Sequence, residues 1–516
     1  MESGELLPRA EPSVGSKPGR RGGWLAAFFL IAVVFFERIG FYGVEGNLIM
    51  YLTSPLGMST ATAAAGVNAW SGTVLVLPLV GALAADSRLG RYGAVMAASV
   101  LYLLSLGMLT ASSALQTSQP HPPSSTTPPA RLAFFYAALY LLALAQGFHR
   151  PCAEALGADQ FAPTEPASRS SYFNWFHFFV SWGYAIAAAG ISYVEENAGW
   201  TVGFGACWVT MVLCLAVFLL GTRTYRAEEP ADRRLLADTV RAWVASMSRR
   251  KDTIGTERDL CRLLARDAEE EGAGLVSVKL LPIWLTSVVF ALVISQVTTL
   301  FTKQGSTMDR RIGTSGFAVP PAALISFISV SFVIMVPVYD RALVPLARRL
   351  TGHHAGITTL QRIGSGIAVS CLAMAVAAVV EARRLRVASD AGLADRPDVA
   401  VPMSLWWIVP QYLLIGLARV LAAIGLEEFF YDQVPAALRS VGVALSLSAL
   451  GVGSYASGAV VSAIDWATRG SGESWFSDNL NRAHLDYFYW LLAGLAALDV
   501  AVFFYFANRY VYRNKG

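Results

Sequence analysis

The sequence predicts an all-α membrane protein of twelve transmembrane helices arranged as two six-helix bundles. Three observations carry that expectation. The 516 residues are 55% hydrophobic and only 15% charged, a balance foreign to soluble domains. Apolar runs of spanning length recur twelve times, six on each side of one charged stretch. Basic residues gather in alternate connections, which places both chain ends on the cytosolic side.

A polar tail (1–23) containing Arg20 and Arg21 precedes the first run, Trp24 to Thr53. That run is too long for a signal-peptide core and lacks a small-residue cleavage site, so it is expected to stay as a spanning helix. Further runs at 66–85, 93–114, 132–153, 172–194 and 199–221 complete an N-terminal bundle, 24–221. The Pro-, Ser- and Thr-rich stretch 115–131 reads as a loop on the non-cytosolic side. Charge clusters such as Arg249-Arg250-Lys251 mark 222–277 as a cytosolic linker. Runs at 278–302, 320–338, 357–381, 403–426, 439–464 and 486–507 form the C-terminal bundle, 278–508, before a cytosolic tail, 509–516. Arg383, Arg384 and Arg386 break the charge rule, because they fall at the non-cytosolic end of the ninth span.

The small net charge of +4 gives no reason to expect a nucleic-acid partner. The five cysteines show no paired spacing, and free thiols are expected. The six histidines are scattered, with only His353 and His354 adjacent, which argues against a multispan metal enzyme. No cofactor is expected beyond protons as a coupling ion.

The informative residues are the charges inside the spans. Glu37 and Arg38 sit mid-way along the first run with Glu45 two turns on, and each such group costs roughly 2.5–3.5 kcal/mol at the centre of a bilayer. They should therefore face protein or a water-filled cavity. His149, Arg150 and Glu154 in the fourth run, Gln296 and Lys303 in the seventh, and Arg419, Glu427 and Glu428 in the tenth extend the pattern. Held around one cavity, cations and carboxylates offset each other's burial and can exchange partners as the cavity opens to alternate sides, which is the logic of a secondary transporter. The competing readings are structural salt bridges and, for groups near helix ends, snorkelling to water. Tyr42, Trp406 and neighbouring aromatics are candidates for lining the cavity, against the alternative of packing or interfacial positions.

Two shorter signals remain. Asp86 to Arg91 joins the second and third runs, and Asp340-Arg341 joins the eighth and ninth, a faint internal repeat suited to a conformational latch between bundles. Glu2 stands four positions before Leu6-Leu7, a pattern read by sorting adaptors, which points to the vacuolar membrane, with the plasma membrane as alternative.

The segments Glu37-Arg38-Ile39-Gly40-Phe41-Tyr42-Gly43, Gly157-Ala158-Asp159-Gln160-Phe161, Phe173-Asn174-Trp175-Phe176, Gln304 to Arg311 and Glu428-Phe429-Phe430-Tyr431 resemble the proton-coupled oligopeptide transporters of the major facilitator superfamily, and most nearly their plant nitrate and peptide branch. The resemblance runs from about residue 24 to 508. It implies the major facilitator fold, with Glu37, Arg38, Arg150 and Glu428 as the proton-coupling and ion-pair residues. Beside it, the intramembrane polar and aromatic residues give a candidate cavity including Tyr42, Asn174, Gln296, Trp406, Arg419 and Glu427, and the internal repeat gives a candidate latch of Asp86, Arg91, Asp340 and Arg341, against the alternative of ordinary positive-inside charge. Val34 stands where the family has the first Glu of its helix-one motif, and Ile294 where nitrate carriers have His. The expectation is therefore a proton-coupled transporter of a small organic solute: a di- or tripeptide, a hormone or a specialised metabolite. A uniporter, an exchanger or a non-transporting sensor is the alternative, and nitrate is disfavoured.

Overall fold

A chain crossing lipid must satisfy its backbone hydrogen bonds internally, and this one does so with helices. The structure, a computed structural model, describes residues 22–84, 90–118, 128–161, 166–226, 280–313, 317–338, 358–433, 439–470 and 474–510. Nearly all of the expected N-terminal tail and of the linker, and the end of the C-terminal tail, lie outside these residues.

In the N-terminal half α1 is Trp24–Thr53, α2 Thr60–Ala84, α3 Gly90–Ser118 and α4 Pro129–Ala158. α5 begins as Pro166–Ile186 and continues through a π-helical segment, Ala187–Ile191, into Ser192–Ala198. Gly199, at φ 94°, then turns the chain into α6, Trp200–Gly221, through a conformation that side chains resist. In the C-terminal half α7 is Leu280–Ser306, with a π-helical segment at Val297–Phe301. α8 is a 3-10 turn, Pro321–Ile325, leading into Ser326–Val338, and α9 is Thr359–Asp390. α10 runs Val409–Ala418, a π-helical segment Arg419–Ala423, and Ile424–Gln433. α11 is Arg439–Arg469 and α12 Leu485–Arg509. Among the described residues nine of these are apolar and long enough to span a bilayer by composition alone; α5, α8 and α10, broken by π or 3-10 turns, are the other three.

Local chemistry explains several of the ends. Pro128 and Pro129 start α4, where a missing amide hydrogen costs nothing. Thr358 and Gln361 form a reciprocal cap on α9, each side chain bonding the other's backbone amide at 3.1–3.2 Å. A two-stranded parallel ribbon, β1 (Met308–Asp309) with β2 (Val401–Ser404), ties the exit of α7 to the entry of α10.

Across the two halves, α2 packs on α11, α5 on α8, and α1 on the end of α7. Small residues permit the closest of these approaches. A Cβ on Gly72 would stand 2.9 Å from the Gly451 carbonyl, and one on Gly451 would stand 3.0 Å from the Gly72 carbonyl, so α2 and α11 meet backbone to backbone.

Two of the three arginines that broke the charge rule, Arg383 and Arg384, are accounted for by contacts near the end of a helix longer than expected, while Arg386 is exposed. α9 runs to Asp390 rather than ending at 381. Arg384 is fully buried, paired with Glu381 at 2.6 Å and bonded to Asn481 and the Leu480 carbonyl, so it pins the loop before α12. Arg383 stacks over Trp407 at 4.3 Å. These charges are spent on packing and carry no topological information. No disulfide joins Cys152, Cys207, Cys214 or Cys371, and Cys261 lies outside the described residues.

Candidate substrate cavity

The most conspicuous charges of the sequence are sealed inside the N-terminal bundle. Glu37 and Arg38 are 0% and 2% exposed. Tyr102 of α3 donates to Glu37 Oε1 at 2.5 Å. The Gln146 amide of α4 bridges the pair: its nitrogen donates to Glu37 Oε1 at 2.6 Å and its oxygen accepts from Arg38 Nη1 at 2.8 Å. Arg38 Nε lies 3.2 Å from Glu37 Oε2, an ionic contact without hydrogen-bond alignment. Three helices thus close on one ion pair, the arrangement that offsets desolvation in a low dielectric. Of the two settings expected for this pair, protein or a water-filled cavity, Glu37 takes the first, while Arg38 also lies over the Tyr42 ring at 5.7 Å.

A second cluster of charges centres on Glu45, on the same helix. Glu45 lies in the field of Arg419 of α10 and of Arg150 of α4. None of these three is sealed, and no ion pair within 4 Å joins Glu45 to either arginine. Tyr42 and Tyr184 meet edge to face at 4.2 Å beside them, and Tyr184 shares the fields of Glu45 and Arg419. Glu427 of α10 couples electrostatically to Arg150 and Glu154 of α4, and His177 of α5 to Glu154 and Arg150. Arg419 opens the π-helical segment of α10, an irregularity common where a helix must re-aim side chains at a site.

Four other expected positions fall elsewhere. Glu428 is half exposed and pairs with Arg362 of α9 at 3.3 Å within its own bundle, while Arg362 also bonds the Val420 carbonyl. It is Glu427, one position earlier, that faces α4. Gln296 is fully buried and donates to Ser457 Oγ at 2.8 Å, where Asn68 of α2 also donates, so it belongs to the bundle seam. Trp406, 49% exposed, packs edge to face on Phe327 just before α10, about 20 Å along the helix from Arg419 at 1.5 Å per residue. The described partner of Arg91 is Asp159 at the end of α4, in the same bundle and not in the neighbouring one. Asp86, Asp340, Arg341 and the side chain of Asn174 lie outside the described residues, as do Glu2, Leu6 and Leu7.

Polar contacts join the two bundles within the span, where Asn68 donates to Ser457 and the Thr73 and Tyr455 hydroxyls meet at 2.7 Å, and again at the face away from the chain ends. Lys303 donates to Thr53 at 3.0 Å, the Thr60 amide to Asp478 at 2.8 Å, and Arg310 to Glu196 at 2.6 Å. Tyr193 and Phe317 stack at 5.3 Å. A cavity of about 210 Å³ at this junction, lined by Lys303, Ser306, Thr307 and Asp478 among others, is separate from the charged cluster. At the terminal face, described contacts such as Arg362 with Glu428 and Tyr510 with Gln433 stay within one bundle.

Comparison with known proteins agrees with this architecture. The profile described as "PTR2: POT family" matches residues 92–476. The protein NRT1/ PTR FAMILY 5.10 of Arabidopsis thaliana is 47% identical over 98% of this chain and 95% of its own length. The chain belongs to the POT family. NRT1/ PTR FAMILY 5.16 of the same plant is 44% identical over 95% of this chain and 94% of its own length. Among solved structures, an auto-inhibited POT family peptide transporter superposes with a TM-score of 0.73 at 21% identity, covering 95% of this chain and 98% of that one. The POT family transporter PepTSo gives 0.73 at 19% identity, covering 94% and 98%. The protein is thus a multi-pass membrane transporter of peptides or related solutes, and not an enzyme.

Proposed function

We propose that this POT family protein is a secondary active transporter of a small organic solute carrying charges of both signs, driven by protons through alternating access. The observation that carries the reading is the facing of Glu45 and Arg419. They project from opposite bundles into one neighbourhood, feel each other's charge, and do not close into an ion pair. A solute with a cationic and an anionic group, such as a di- or tripeptide or a conjugated hormone, satisfies both and draws the bundles together. Nitrate offers nothing to Glu45, Glu154 or Glu427. Coupling follows from the same geometry, because a carboxylate that loses its cation neighbour to substrate gains proton affinity. Glu45 replaces the sealed Glu37 as the carrier in this reading. Residence in the vacuolar membrane, through Glu2, Leu6 and Leu7, belongs to the same proposal.

Uptake of a panel of di- and tripeptides and plant hormones into proteoliposomes, with and without an inward proton gradient, tests it. Gradient-driven accumulation is expected in wild type, with Glu45→Gln retaining only downhill exchange. Uptake to equilibrium that ignores both gradient and mutation favours the uniporter or exchanger reading, which has its own support in Val34, an apolar residue 2% exposed where the family has a carboxylate. Binding without any flux favours a sensor.

A further inference from the structure

Glu195 is a buried carboxylate used neither by the sealed network nor by the cluster around Glu45. Glu195, in the last turns of α5 beyond the π-helical segment, is 1% exposed. Asn47 of α1 donates to its Oε2 at 3.0 Å. Its Oε1 has no hydrogen-bond partner, and neither do the buried Asn47 Oδ1 and, one turn before Glu195, Ser192 Oγ. α6 lies directly against the side chain: a Cβ on Gly203 would stand 2.2 Å from Glu195 Cγ. The titratable groups facing it are the Cys207 thiol of α6 and the adjacent Glu196 carboxylate. α1 offers the neutral Asn47, and the Pro321–Ile325 turn packed against this segment contains no ionisable residue.

We propose that Glu195 is a proton-binding site built into the bundle closure at the face away from the termini, an inference that rests on the proton-coupled reading above. A buried carboxylate with one amide donor, no cation and a like charge beside it is costly as an anion. As a neutral acid it keeps the Asn47 bond, and its Oε1 becomes a donor among oxygens that lack one. The closure stands on the next residue, since Glu196 pairs with Arg310 across the bundles and Tyr193 stacks on Phe317. When those contacts part, water reaches the end of α5 and Glu195 exchanges its proton with that compartment. When they re-form, only the neutral acid is readily enclosed. Proton loading and closure are thereby one event.

The test is infrared spectroscopy of the purified full-length protein in lipid nanodiscs, with pH as the only variable. The wild type minus Glu195→Gln difference spectrum is expected to show one carboxylic C=O stretch at neutral pH, shifting in D2O. Asn47→Leu, which removes the donor to that acid, moves the same band to higher frequency, so the assignment does not depend on one variant folding. Arg310→Ala, which breaks the closure, makes the band titrate away at lower pH than in wild type. A difference spectrum without that band, or a band indifferent to Asn47→Leu, overturns the site; a band titrating identically in Arg310→Ala overturns its link to closure. If wild type shows the band yet no solute of the transport panel responds to a gradient, the transport reading fails and the site stands. If transport is gradient-driven and the band is missing, the site alone fails.

Discussion

Glu37 and Glu45 lie eight positions apart on α1, and their surroundings are opposite. Around Glu37, Tyr102, Gln146 and Arg38 supply donors, and the group is closed to solvent. Around Glu45, Arg419 and Arg150 supply field without contact. A buried charge whose partners are in place holds helices together, whereas one whose partners stand off is arranged for something that comes and goes. Position in the span says that a charge is expensive. Only its partners say what the expense is for.

The largest effect should come from breaking the closed region. Glu37→Ala leaves Arg38 buried without its counter-charge, a loss on the order of 3–5 kcal/mol for a broken buried pair. Thermal unfolding in detergent, or the yield of monodisperse protein, reads this directly. Melting indistinguishable from wild type would show that water reaches the pair and that the contrast drawn here is wrong.

The open region should show the reverse pattern, with stability kept and transport lost. Arg419→Gln removes one charge-assisted contact to substrate, worth about 1.5–3 kcal/mol, so uptake at limiting solute is expected to fall by roughly ten- to a hundredfold. The exchanged double variant, Glu45→Arg with Arg419→Glu, should recover part of that loss if the two residues share one substrate, because coupled sites are not additive. A double variant no better than the product of the singles would separate them.

A smaller effect sharpens the comparison between neighbours in sequence. Glu427→Gln should weaken uptake several times more than Glu428→Gln, since Glu427 lies in the field of Arg150 and Glu154 of the other bundle while Glu428 is held by Arg362 in a partly solvated pair of the kind worth about 0–1 kcal/mol. Equal losses would restore Glu428 to the site.

The fold was legible because spanning length is a one-dimensional property. The first run matches α1 end for end, and its neighbours match to within a few residues. The π-helical segments of α5, α7 and α10 were not legible, since they answer to tertiary packing and carry no composition of their own. One residue of helix turns a side chain by about 100°, so Glu427 and Glu428 exchange roles on a detail that the letters do not hold. Glu37 looked functional because its closing partner, Tyr102, lies 65 positions away. Arg419 was legible as a charge inside a span, and it does lie in the field of Glu45 from the other half of the chain.

Trp406 gives the smallest and most discriminating prediction. Aromatic residues line many binding cavities, and the sequence offers this one at the head of the helix that carries Arg419. The structure instead puts it half exposed against Phe327, beside a Trp407 that stacks on Arg383, as expected of an interfacial anchor. An anchor feels the membrane and not the solute. Trp406→Ala should therefore leave the apparent affinity for solute within about twofold of wild type, the range of a surface substitution worth about 0.5 kcal/mol. Any loss should appear in the rate, and in its sensitivity to bilayer thickness, measured by reconstituting the variant in lipids of different acyl length. A tenfold change in affinity at constant thickness would mean that the solute reaches the outer rim of α10 during transport, and the cavity would have to be drawn longer than Glu45 to Glu427.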